Sequence, residues 1–166
     1  VFASADPSNM GEVVDGVGVE RPPAVFATNQ LVLVVPKDNP AHIRSTADLA
    51  GTEVVVCAPE VPCGAAAERA ARAAGIRLRP VSEENDVKSV LRKVAEGEAD
   101  AGFVYRTDAL SERDAVRTVD SPEVTTSYPI VVPRGAPDPD LAAEFVSFVR
   151  GPVGREVLAE HGFGTP

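Results

Sequence analysis

Tryptophan is absent from this 166-residue chain, methionine occurs once, and tyrosine and cysteine occur twice each. The two histidines, His42 and His161, lie far from each other and from Cys57 and Cys63. A structural zinc site would have to gather all four, since such a site takes about four ligands. Lysine is confined to Lys37, Lys88 and Lys93, so arginine carries most of the positive charge. The net charge of −9 argues against a nucleic-acid surface, which draws on a basic face. No apolar run approaches the roughly 18 residues of a membrane span. Residue 1 is a valine with no basic stretch after it. No signal-peptide pattern is therefore read there, and the numbering is expected to start after a removed segment. Low-complexity tracts and repeats of 20–50 residues are missing as well.

What the chain does have is strands alternating with helices. "VFASAD" predicts a strand end, and Asp6 then Pro7 a helix cap and first turn. "PSNMGEVVDG" reads as a short helix ending near Gly16. Long apolar strands are expected at Gln30–Val35 and Ser127–Val132, and shorter ones at "TEVVVC", Leu78–Val81, Ala101–Tyr105 and Ala115–Asp120. "STADLAG" is a capped turn stopped by Gly51. "GAAAERAARAAG" is a helix ended by Gly75. "ENDVKSVLRKVAEGEAD" gives the clearest helix, with Val87, Val90, Leu91 and Val94 on one face and Asp86 as cap. "TDAL" predicts another capped turn, and two helices close the chain. This order predicts an α/β protein with mostly parallel sheets flanked by helices. The two long strands bracket a self-contained α/β unit, residues 30–127. The pieces 1–29 and 133–166 must then pack together as a second lobe. The chain crosses between lobes near 30–35 and 127–132, and a ligand is expected in the cleft.

"VVVCAPEVPCGAAAERAARAAG", Val54–Gly75, places both cysteines at a strand-to-helix turn. They are six positions apart across Pro59 and Pro62, which is not the C-x-x-C of a redox pair. A structural disulfide and a pair of free thiols remain. A bridge closing so small a loop contributes roughly 2 kcal/mol on the chain-entropy estimate, and it would favour an extracytoplasmic location. A thiol enzyme using Cys63 has a mechanism, since a helix N-terminus lowers a thiol pKa. Neither His42 in "NPAHIRS" nor His161 in a C-terminal helix offers an evident base, so the reading is not an enzyme.

Two helices of the bracketed unit begin after strand ends, at Cys63–Gly64 and at Asp86–Val87. Helix starts present unpaired N–H groups and a partial positive charge, which bind anions without lysine or arginine. Gly64 would let a ligand approach the backbone closely. The plainer reading is that both helices are merely capped, and that Tyr105 is an anchored core edge.

"ADLAGTEVVVCAPEVPCG", "EENDVKSVLRKVAEGEADAGFVYRTDA" and "VFATNQLVLVVP" resemble the periplasmic molybdate-binding proteins of ABC transporters. "VFASADPSNM" and "FVRGPVGREVLAEHGF" fit the same family, so the resemblance covers essentially the whole chain. "APEVPCG" and "GEADAGFVY" are its most specific motifs. It implies the two-lobed periplasmic binding protein fold, type II-like, and a site that holds a tetrahedral oxyanion by hydrogen bonds alone. Carried over by motif, the donors are the backbone N–H of Cys63, the backbone N–H of Val87 and the hydroxyl of Tyr105. Bridged, Cys57 and Cys63 would fix the turn that aims the first of them, although many members of the family have no cysteine there.

The resemblance implies molybdate or tungstate as ligand, no cofactor, and no metal bound as a cation. It implies a membrane permease of an ABC importer as partner, in the periplasm or on the cell surface as a lipoprotein. The family's opening strand and serine motifs are not found in these residues. The lobe formed by 1–29 and 133–166, which is the family's first, is therefore expected to be incomplete beside a complete 30–127, with weakened binding and self-association through exposed sheet edges. A ligand-sensing domain of a transcription regulator is the alternative, as it can share the two-lobed fold.

Overall fold

The computed structural model describes all of Val1–Pro166. The chain divides into two compact units, residues 1–29 with 126–166, and residues 30–125. Its elements in order are β1 (Phe2–Ala3), α1 (Pro7–Gly16), β2 (Ala24–Pro36), a 3₁₀ turn (Thr46–Leu49), β3 (Val54–Cys57), α2 (Pro62–Ala73), β4 (Ser82–Glu84), α3 (Val87–Ala95), β5 (Ala101–Tyr105), α4 (Arg106–Ser111), β6 (Val116–Val131), α5 (Pro139–Arg150) and α6 (Pro152–Glu160). The hydrogen-bonded strand order is β1-β6-β2-β5-β3-β4. β2 and β6 run through both units.

In the 30–125 unit, β3 pairs in parallel with β4 and with β5. β2 runs antiparallel to β5, with Leu31 opposite Tyr105. The parallel ladders of β3 with β4 and β5 join strands whose connections are helices. "VVVC" and "AGFVY" are buried at every position. That is the signature of strands covered on both faces rather than one. α2 lays Ala66, Ala67, Ala70 and Ala71 into the core, and side chains this small let a helix approach a sheet closely. α3 contributes Val90, Leu91 and Val94.

Gly102 shows how tightly α3 sits on β5. A Cβ there would fall 2.7 Å from Val90 Cγ1 and 3.0 Å from Val94 Cγ2. Gly102→Ala is expected to cost about 1–3 kcal/mol through overpacking. A urea midpoint unchanged from the parent chain would contradict this.

Three elements differ from the sequence expectation. The strand expected at Leu78–Val81 is Ser82–Glu84 instead. Pro80 has no N–H to give to a ladder, and pairing opens only with the Val81 N–H on the Val54 carbonyl at 2.9 Å. The strands expected at Ala115–Asp120 and Ser127–Val132 form one strand, Val116–Val131, through Pro122. The strand expected at Gln30–Val35 starts six residues earlier, at Ala24.

In the other unit, β1 pairs antiparallel with β6, Phe2 opposite Val131. Asp6 caps α1 by accepting the Ser8 N–H at 2.7 Å, and Met10 is buried. Tyr128 meets Phe163 edge to face and Phe26 at a tilt, with ring centroids 5.7 and 6.3 Å away. α5 and α6 bury no residue, and Leu141, Phe145, Phe148 and Val157 are exposed.

Candidate functional site

The three parallel strands each deliver one candidate group at the same end. Cys63 is the second residue of α2, just after β3. Val87 is the first residue of α3, just after β4. Tyr105 is the last residue of β5. Because β3 lies between β4 and β5 and runs parallel to both, all three stand at the carboxyl edge of adjacent strands. Two strand spacings, roughly 10 Å, separate β4 from β5. In α/β sheets that edge is where ligands bind.

Each helix start reserves a particular N–H. Pro62 opens α2 and has none to give, and Val61 supplies no side-chain cap. The Gly64 and Ala65 N–H groups both turn to the Val61 carbonyl, at 3.0 and 3.1 Å. The first N–H of α2 is therefore that of Cys63. At α3 the Asp86 carboxylate accepts from the Ser89 N–H at 2.8 Å and the Ser89 hydroxyl at 3.1 Å. Those bonds, the backbone one first, hold Asp86 below the usual carboxylate range. Val87 carries the first N–H of α3, ahead of the donors this cap takes.

Cys57 and Cys63 are joined in a disulfide, with Cα atoms 5.6 Å apart, inside the range such bridges need. No free cysteine remains, so the free-thiol alternative falls, and with it a Cys63 nucleophile. No group of three or more His, Cys, Asp or Glu side chains gathers as metal ligands.

Gly64 has a different role from the one expected of it. A Cβ there would meet the Ala58 carbonyl oxygen at 2.0 Å and that of Cys57 at 2.6 Å. The missing side chain makes room for the chain's own turn, not for a ligand.

Tyr105 is 7% exposed. Its N–H donates to the Asp108 carboxylate at 3.2 Å. Burial pushes the Asp108 carboxyl up, and the Tyr105 N–H partly offsets this. Sequence reasoning missed this carboxylate, although "YRTD" places it three residues on, where a capping carboxylate belongs. It also missed Glu84, which Lys93 of α3 grips at 2.5 Å and the Ser82 hydroxyl also reaches. Lys93 first, then Ser82, hold the Glu84 carboxyl below its ordinary value. The pair fastens the end of β4 to α3.

Two helix starts and a phenol thus lie at one strand edge, with no cationic side chain among the three groups. Residues 1–164 match the family of bacterial extracellular solute-binding proteins, and the chain belongs to it. The molybdate-binding protein ModA of Mycobacterium tuberculosis is 47% identical over 171 residues, covering 100% of this chain and 66% of that protein. The Escherichia coli molybdate-binding protein ModA is 29% identical over 178 residues, covering 98% of this chain and 69% of its own. The chain thus spans about two thirds of the length of these relatives.

Among solved structures, a substrate-binding domain assigned to a molybdenum ABC transporter from Clostridium difficile superposes with a TM-score of 0.79. It shares 26% identity and covers 99% of this chain and 76% of that one. The periplasmic molybdate-binding protein of Azotobacter vinelandii, at 20% identity, shares the fold with a TM-score of 0.77 over 99% of this chain and 78% of its own. No helix is long and apolar enough to cross a membrane.

Proposed function

We propose that the chain binds molybdate or tungstate outside the cytoplasm for delivery to the membrane permease of an ABC importer. The observation that supports this reading is that Cys63, Val87 and Tyr105 each stand at or just beyond the carboxyl end of one of three adjacent parallel strands. These donors carry no formal charge. They suit an anion that stays fully ionised and offers only acceptor oxygens. The 47% identity to a molybdate-binding protein over the whole chain supports the same ligand. The family supports an extracellular place of work. No cofactor enters this reading.

Each bond to a charged group contributes about 1.5–3 kcal/mol. Three together give about 5–9 kcal/mol, a dissociation constant between millimolar and sub-micromolar. Calorimetric titration of the chain with molybdate, tungstate and sulfate tests this. The expected result is one saturable site per chain for which molybdate and tungstate compete. Absence of saturable binding, or equal binding of sulfate, would overturn the ligand assignment.

A further inference from the structure

The turn between β3 and α2 is fixed from three directions. The Cys57–Cys63 bridge spans it. Gly64 lies against it so closely that a Cβ would stand 2.0 Å from the Ala58 carbonyl oxygen, so any side chain would lever the start of α2 off the turn. The Ala58 N–H donates to the Glu84 carbonyl at 2.8 Å, which ties the turn to the end of β4, three residues before Val87. The Glu84 carboxylate in turn holds Lys93 on α3. A covalent bond and a close backbone contact therefore hold the start of α2 to the turn, and a hydrogen bond ties that turn to the end of β4.

A bridge serving stability alone could join any two neighbouring elements. This one ends on Cys63, the residue whose N–H opens α2. Its other end, Cys57, is the last residue of β3. Both cysteines are almost fully buried, at 1% and 5% exposure, so the bridge acts on the backbone and not as a surface group.

We propose that the Cys57–Cys63 bridge is a positioning element of the oxyanion site. It holds the β3–α2 turn so that the Cys63 N–H is aimed before the ligand arrives, and the turn has nothing left to order on binding. Pre-ordering of this kind raises affinity by removing an ordering cost rather than by adding a contact. The inference rests on the oxyanion-binding reading above.

The test is the double variant Cys57→Ala with Cys63→Ala, which keeps the Cys63 backbone N–H. Alanine is short enough for both buried sites. Molybdate affinity is measured by calorimetry at a temperature where circular dichroism shows the variant folded. Amide exchange of residues 58–64 is followed alongside. The expected result is an affinity about three- to tenfold weaker than the parent's, with faster exchange confined to the turn. Parental affinity with a lowered thermal midpoint would overturn the proposal, because the bridge would then be purely stabilising.

Should the double variant fail to fold, the parent chain with its bridge opened by a reductant, and both thiols confirmed by alkylation, takes its place. The reduced chain is expected to bind molybdate about three- to tenfold more weakly than the oxidised one, and equal affinity of the two forms would equally overturn the proposal. Failure of the unmodified chain to bind molybdate is a separate outcome, which removes the functional reading and this inference with it.

Discussion

Tyr105→Phe is expected to lower molybdate affinity about 10- to 100-fold while leaving the fold intact. The substitution removes one hydroxyl and nothing else. The ring is the last side chain of β5, 7% exposed, and packs in the main core cluster. Phenylalanine fills that space equally well. The backbone at this position is held independently, by the Asp108 carboxylate on the Tyr105 N–H and by pairing with Leu31. A hydrogen bond to a charged group contributes about 1.5–3 kcal/mol, which sets the size of the loss. Sites built to hydrogen-bond a ligand lose heavily when one partner disappears, because the opposing polar group is then left unmatched in the dry site. Two readings of this tyrosine predict different outcomes. As a ligand donor, its loss changes the calorimetric dissociation constant and barely moves the urea midpoint. As a core edge, it changes the midpoint and spares affinity. Binding within twofold of the parent would remove Tyr105 from the site.

The elements most legible in the sequence are those whose local signals agree with their environment. α3 is one. Asp86 is its cap, and Val90, Leu91 and Val94 are its buried face, as the spacing in "NDVKSVLRKV" dictates. β3 and β5 are others, since unbroken apolar runs belong to strands covered on both sides. The misread positions are those where tertiary pairing overrode a local signal. Pro122 looks like a break, yet β6 continues through it. "LRPV" looks like a strand, yet Pro80 delays the ladder until Ser82.

The candidate site rests on a different kind of signal. The residue types at Cys63, Val87 and Tyr105 say little alone, because two of the three groups are backbone N–H donors that every non-proline residue carries. Their order after successive strands, with the family motif beside it, is what marks them as candidates. Glu84, Lys93 and Asp108 could not be read, because each acts through a partner whose proximity is created by the fold. Gly64 was noticed for the right reason, a close backbone approach, and given the wrong neighbour.

The sharpest test of the site removes a single backbone hydrogen. Val87→Pro is expected to weaken molybdate binding about 10- to 100-fold without unfolding α3. Proline is favoured at the first position of a helix, where its fixed φ suits the turn and its missing N–H breaks no helical bond. The chain already uses this device four times, with Pro7, Pro62, Pro139 and Pro152 opening α1, α2, α5 and α6. α3 opens with valine instead and keeps its N–H. Asp86 is extended, with φ −153° and ψ 159°, the conformation a residue takes before proline. Its carboxylate serves the Ser89 N–H, so the cap survives the change.

The Val87 side chain packs only partly against the core, and losing part of that contact costs on the order of 1 kcal/mol or less. Val87→Ala supplies the control, since it trims the same side chain and retains the N–H. The expected pattern is near-parental affinity in Val87→Ala and a large loss in Val87→Pro, with similar urea midpoints in both. Equal losses in the two variants would place the effect in side-chain packing. Parental binding by Val87→Pro would show that no oxyanion touches the start of α3. In that case only Cys63 and Tyr105 would remain as candidate donors at this edge.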